Sequence, residues 1–264
     1  MKENGNSGLI QRLDHIAVKT SAPEKLFLFF TEILGLPVIW PVNKEPGFTT
    51  GGFFVGDANV ETLPLAPGGA QAAAHEAAIS AITFESRPFS DIGEELQRHM
   101  LQPSEPLHSI RDYDGRQYKA WTSLSLDALS SPRHTVYLRE YDKSYRGQMA
   151  KTVSFTAPLG AVGLLGMHEI ELECADLRHS AELWSRLLGA QPNAHIFKKD
   201  GMPALKLSAG KQERIASITL KVKSLQKTMD FLKEKHLLGA HEGKTVSITP
   251  RAIQGLHIKF IQHS

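Results

Sequence analysis

Cysteine is the scarcest chemistry in this 264-residue chain: Cys174 stands alone. One cysteine excludes an internal disulfide and any zinc site built from several thiolates. Long apolar runs are missing too, and none approaches the roughly 18–20 residues that a membrane span needs. Charge of one sign is not in excess. A net charge of +2 is too small to argue for nucleic acid or an acidic membrane surface as a partner. No H-E-x-x-H pattern occurs among the twelve histidines, so the helical zinc-protease arrangement is excluded. The first seven residues are polar and lack the apolar core of a secretion signal. A cytoplasmic location is the default expectation. With 41% apolar and 22% charged residues, the chain has the makeup of a folded protein long enough for two domains.

What is present is a repeat. Leu13 to Lys19 alternates around the β-branched Ile16 and Val18 and reads as a strand. Ser21-Ala22-Pro23-Glu24 has the spacing of a capping box, with proline at the helix start. Leu26, Phe27, Phe29, Phe30, Ile33 and Leu34 form an apolar helical stripe, and Gly35 is placed to stop it. Strands are expected near Val38–Trp40, Thr49–Val55 and Asn59–Leu65. A shift of 154 residues carries Gly35 onto Gly189, Phe30 onto Trp184 and Ile16 onto Ile170. One shift that aligns strand, helix and stop together marks an internal duplication. Asp176 and Ser224 are the expected helix caps of the second half, with Gly189 and Gly239 as stops. Each half repeats again. The expected units are roughly 11–66, 76–142, 166–210 and 214–263, with a short strand suggested at Val153–Phe155. The expected domains are 1–145 and 166–264, joined by a linker over 146–165.

Leu13-Asp14-His15-Ile16-Ala17-Val18, Ile33-Leu34-Gly35-Leu36-Pro37 and Asn59-Val60-Glu61-Thr62-Leu63 together resemble the first module of the vicinal-oxygen-chelate superfamily, which includes glyoxalases, bleomycin-resistance proteins and extradiol dioxygenases. The resemblance implies an α+β fold: four βαβββ modules paired into two cupped mixed sheets. It also implies a divalent metal (Zn, Mn, Fe, Ni or Co) held by the first and fourth strands of each module. Alternation places His15 opposite Ile16 and Val18, on the concave face with Leu13 and Ala17, where Glu61 can meet it. An imidazole and a carboxylate suit such metals, which acidify bound water or hydroxyl groups.

The implied metal set is His15, Glu61 and Glu140, with Glu140 also the candidate proton-transfer group. Glu140 shares its face with Val136 and Leu138. Ser80 falls where the second module's first-strand ligand belongs, and neither it nor its neighbours Ile79 and Ala81 are usual ligands. His108 and His134 are candidate loop ligands. Trp40, Phe53, Trp121 and Arg139 are the expected substrate-pocket residues, with Phe48, Phe54, Arg111, Arg116 and Tyr118 as further wall or anion-holding candidates. In the second half Glu169 takes the His15 position, Ser217 its partner position, and Lys206 and Lys259 stand where acids belong. That half reads as a degenerate copy.

The expected function is a metal-dependent enzyme acting on a small oxygenated substrate, of lyase or isomerase type. Extradiol ring cleavage is a further alternative that lacks its second histidine. A metal-free binding protein of the bleomycin-resistance type is the rival. The expected partner is a small molecule, with no nucleic acid and no membrane, and a homodimer is compatible.

Overall fold

The computed structural model describes residues 8–45, 48–65, 77–113, 116–145 and 158–263. The suggested strand at Val153–Phe155 and most of the 146–165 linker lie outside them. The first quarter of the chain runs β1 (Ile10–Thr20), α1 (Pro23–Leu28), β2 (Val38–Glu45), β3 (Phe48–Phe54) and β4 (Asn59–Pro64). The second runs β5 (Ala78–Ser86), α2 (Phe89–Arg98), β6 (Leu107–Tyr113), β7 (Arg116–Ser125) and β8 (Thr135–Tyr141). The third is β9 (Leu164–Cys174), α3 (Leu177–Leu188), β10 (Ile196–Phe197) and β11 (Ala204–Ala209). The fourth is β12 (Arg214–Val222), α4 (Leu225–Glu234), β13 (Leu238–Glu242), β14 (Thr245–Ile248) and β15 (Ile258–Gln262). Three modules are βαβββ. The third has two strands after its helix among the described residues, the first only two residues long and bounded by positive-φ residues at Ala194 and His195.

These strands form two mixed sheets that follow the halves of the sequence. The first has the order β2-β3-β4-β1-β5-β8-β7-β6 and the second β10-β11-β9-β12-β15-β14-β13. In three modules the first strand pairs in parallel with the last: β1 with β4, β5 with β8, β12 with β15.

Compactness cuts across the sheets. One unit comprises Met1–Asp14, Ala81–Val153 and Glu173–Glu213; the other comprises His15–Ser80, Ser154–Leu172 and Arg214–Ser264. The sequence halves are therefore the repeating pieces, while each compact unit draws on both. In the second unit Ile16, Val18, Phe30 and Phe53 meet Met167, Ile218, Leu220 and Ile258 around an interior space of about 20 Å³. Apolar helix-side faces of the first and fourth modules are thus buried in one core. In the first unit Phe84 packs edge-on to Trp184 at 6.1 Å, and Ile92, Leu96, Val136 and Leu138 are buried.

Helix ends show which local signals hold. Asp176 accepts a hydrogen bond from the His179 amide at 2.9 Å, Ser224 accepts from the Lys227 amide, and Gly189 closes α3 with φ +64°. The Ser21–Glu24 capping box does not form. α1 begins at Pro23 with Ala22 as its cap residue and no side-chain cap. The Thr20 hydroxyl instead accepts from the Ala22 amide, and Glu24 pairs with Lys44 at 2.6 Å. α1 continues into a π-helical turn, Phe29–Ile33, closed by the Leu34 amide bonding to the Phe29 carbonyl. Gly35 then turns with φ +69°. Its Cα lies where a side chain would meet Gly160 at 3.4 Å, and the Ala161 amide bonds to the Leu34 carbonyl. Gly239 stops no helix. α4 ends at Glu234, and Gly239 lies in β13 with its Cβ position blocked by Ser247 and Ile248. No helix among the described residues is long and apolar enough to cross a membrane.

Candidate functional site

The site begins with the register of β1 on β4. His15 is level with Asn59 and Ala17 with Glu61. Level residues of a sheet share a face, and alternate residues of a strand do too. His15, Ala17 and Glu61 therefore share the face opposite Ile16, Val18 and Val60, which are buried beneath α1. The His15 Nε2 lies 3.8 Å from the Glu61 Oε2. The two residues singled out from sequence are brought together.

β3 completes the arrangement. Gly52 is level with Glu61, and Thr50 lies two residues away on the same face. The Thr50 hydroxyl donates to the Glu61 Oε1 at 2.8 Å and accepts from the Trp40 indole N–H at 3.4 Å. A Cβ on Gly52 would fall 2.4 Å from the Trp40 ring, so glycine is required there for the indole to lie against the strand. The neighbouring Gly51 does the same on the other face, where a Cβ would meet Phe27 at 2.7 Å. The result is a directed chain: indole to hydroxyl, hydroxyl to carboxylate, carboxylate beside imidazole. Thr50 turns one Glu61 oxygen aside and leaves the other facing His15. His15 is buried, and the Glu61 side chain is about a fifth exposed. Such a pair, walled by an indole, can exchange hydrogen bonds and a proton with a ligand hydroxyl or carbonyl.

The remaining expected residues lie elsewhere. The Glu140 carboxylate accepts from the Phe89 amide at 3.0 Å, at the start of α2. Its strand neighbours Val136 and Leu138 are fully buried, so Glu140 is on the helix side of β8 and not in the implied metal set. That is also the favourable place for a carboxylate, against the unpaired amides of a helix N-terminus. The Ser80 hydroxyl bonds to the Ala17 carbonyl at 3.3 Å. Phe53 is a core residue, 1% exposed and stacked on Phe30, and not a pocket wall. His108 bonds to Thr122 through Nδ1. The side chains of Phe48 and Arg116 lie outside the described residues.

Trp121 and Arg139 belong to a different cluster, in the first compact unit. The Arg139 guanidinium lies 3.5 Å from Asp14, 3.4 Å from the Ser123 hydroxyl and 4.8 Å from the Trp121 ring centre. Tyr141 donates to Asp14, and Arg12 spans Asp14 and Glu85. Burial, then the nearby Asp14 charge, pushes the Tyr141 hydroxyl above its ordinary pKa. Arg139 is thus engaged by the protein's own groups. No composition or motif signal announced this network, because its members are scattered over four strands.

His134 is buried against Ser131, whose hydroxyl also bonds to the Glu213 carbonyl. Burial lowers its pKa below the ordinary value. A histidine held neutral in the fold titrates first in the unfolded chain, so the unfolded state binds the extra proton as pH falls below about 6.5. Acidification from pH 7 to 5 is expected to lower the unfolding free energy, and His134→Gln is expected to lack that component. Urea unfolding of both proteins across the range is the measurement. Parallel losses in the two would assign the pH dependence to other groups.

Among the described residues no group of three or more His, Cys, Asp or Glu side chains is placed to hold a metal ion. His15 and Glu61 provide two donors, and four or more are needed to saturate a divalent transition metal.

Comparisons with known proteins agree with this architecture. Residues 12–118 match the model of the Glyoxalase/Bleomycin resistance protein/Dioxygenase superfamily. No curated protein matches the chain. Among solved structures, a hypothetical protein from Staphylococcus aureus is similar over 96% of this chain and 99% of its own, with TM-score 0.62 and 14% identity. The 2,3-dioxygenase LapB from Pseudomonas sp. KL28 is similar over 97% of this chain and 93% of its own, with TM-score 0.64 and 10% identity. A variant of homoprotocatechuate 2,3-dioxygenase from B. fuscum is similar over 100% of this chain and 74% of its own, with TM-score 0.62 and 11% identity. At such identities the likeness concerns the fold.

Proposed function

Since residues 12–118 match the model of the Glyoxalase/Bleomycin resistance protein/Dioxygenase superfamily, we propose that this protein binds a small oxygenated organic molecule on the concave face of its first module, without a tightly held metal. His15 and Glu61 are the polar anchors and Trp40 the apolar wall. The observation that carries this reading is the donor set. The superfamily resemblance implies four ligand positions, and only His15 and Glu61 supply donors that face each other. Ser80 and Glu140 are committed to backbone groups. The described residues do not fit a resident divalent ion, so no step is derived through one. What they do fit is a hydroxyl or carbonyl that takes a hydrogen bond from or gives one to the imidazole–carboxylate pair. A planar apolar body would lie along the indole.

The second reading is a metal-dependent enzyme. It is favoured by the approach of His15 to Glu61 at 3.8 Å, a few tenths of an ångström more than the roughly 3.4 Å between two corners of a tetrahedral site. Metal analysis after purification without chelator separates the two. Substoichiometric metal is expected in the protein, with no change on His15→Ala. Catechol, a planar vicinal diol, is expected to quench tryptophan fluorescence saturably in the metal-free protein. His15→Ala should weaken it about tenfold, the effect of losing about 1.4 kcal/mol of hydrogen bonding. One metal per chain that vanishes with His15→Ala would replace this proposal with the enzyme reading.

A further inference from the structure

The last module has its own concave recess, of about 370 Å³, in the second compact unit. The pairing of β13, β14 and β15 explains its lining. Glu242 is level with Thr245, and Ser247 with Lys259. Alternation places Glu242, Thr245, Ser247, His257 and Lys259 on one face, and all five line the recess. Val246, Ile248 and Phe260 occupy the opposite face and are fully buried. The recess is therefore the polar side of a sheet whose other side is core.

Lys259 holds a telling position. It is level with Thr219 on β12, two residues beyond Ser217. In the first module the corresponding register position, level with a residue two beyond His15, is Glu61. A carboxylate there has become an ammonium here. The Lys259 Nζ lies 3.9 Å from the Glu171 Oε2, beyond hydrogen-bond length, while Glu171 accepts from the Ser217 hydroxyl at 3.0 Å. Among the described residues no hydrogen bond from the Lys259 ammonium is formed, and its side chain is about a third exposed. It has donors to spare above an open hollow, with the exposed His257 beside it. Glu242 marks the opposite rim, two strands across and two residues along the sheet from Lys259. Those steps separate the two backbones by about a nanometre.

We propose that this recess is a second, metal-independent binding site for a small dipolar molecule, its carboxylate on Lys259 and His257 and its cationic end toward Glu242. An anion alone would meet the Glu242 and Glu171 charges. A cation alone would meet Lys259. A molecule bearing both charges, separated by several carbons, satisfies each end. The site shares no residue with the His15–Glu61 pair.

Calorimetric titration with 6-aminohexanoate, hexanoate and hexylamine tests the proposal. 6-Aminohexanoate is expected to bind most tightly, hexanoate several-fold more weakly, and hexylamine without saturation. Lys259→Gln should weaken 6-aminohexanoate at least about tenfold, whereas Lys259→Arg keeps most of the affinity. Glu242→Gln, on the exposed rim, should erase the preference for 6-aminohexanoate over hexanoate even if Lys259→Gln proves unstable. His15→Ala should leave all three titrations unchanged, so that failure of this site and failure of the first-module site are read separately. No saturable carboxylate binding, tightest binding by hexylamine, or indifference to both substitutions would overturn it.

Discussion

Asp14→Ala is expected to destabilise the protein by about 3 kcal/mol, the lower end of the range for removing one partner of a buried ion pair. The Asp14 side chain is 3% exposed and receives the Tyr141 hydroxyl at 2.9 and 3.1 Å, with Arg139 and Arg12 each at 3.5 Å. Alanine would remove the carboxylate that receives the part-buried Tyr141 hydroxyl and balances the mostly buried Arg139 guanidinium, which would keep Ser123 as an acceptor. Arg12 is half exposed, so water recovers part of its loss and the upper end of the range is not reached. Chemical denaturation of the single variant measures the cost. A cycle with Tyr141→Phe should be non-additive, because the two substitutions remove the same hydrogen bonds. Spectroscopic titration offers a second check. Without the Asp14 charge the Tyr141 hydroxyl should ionise at lower pH than in the parent, although burial still holds it up. A loss below about 1 kcal/mol would mean that solvent replaces the acid, and that the cluster is a surface network.

Phe53→Ala is expected to cost about 3–5 kcal/mol, the usual range for deleting a fully buried phenylalanine. Phe53 is 1% exposed, stacked on Phe30 at 4.7 Å and edge-on to Phe27 at 6.5 Å. The same neighbourhood includes Ile218, Leu220 and Ile258 from the fourth module. A hole there would be felt by both modules at once, because close-packed interiors relax only partly. Phe53→Leu should cost much less, since it keeps most of the volume. Thermal unfolding of both variants provides the ranking. In whatever fraction remains folded, catechol binding should be near that of the parent. A stable Phe53→Ala protein with abolished binding would instead return Phe53 to the ligand's wall.

Local pattern carried a long way in this chain. The strand–helix–strand order, the duplicated Gly35 and Gly189, and the caps at Asp176 and Ser224 are short-range signals, and the structure shows each in place. His15 was legible because alternation in one strand sets the face of every side chain. Glu61 was legible because the last strand of a module returns beside the first. Thr50 was not singled out, although the Gly51–Gly52 pair beside it was a readable sign of close approach in a strand. Glu140 failed for the opposite reason. Its face was known relative to Val136 and Leu138, yet which face was concave depended on where α2 packed. The capping box at Ser21 failed because α1 starts at Pro23, which makes Ala22, a residue with no side-chain oxygen, the cap.

By itself the amino-acid order determined the elements, their repetition and the alternation that pairs His15 with Ala17 and opposes it to Ile16, all consequences of backbone geometry over a few residues. Tertiary structure alone decided that the first and fourth modules share a core, that Glu140 caps a helix, and that Arg139 is engaged by Asp14. Those outcomes depend on which faces meet across gaps from about fifty residues, between Phe89 and Glu140, to well over two hundred, between Ile16 and Ile258. That choice is made by the packing of whole apolar surfaces, which no local window contains.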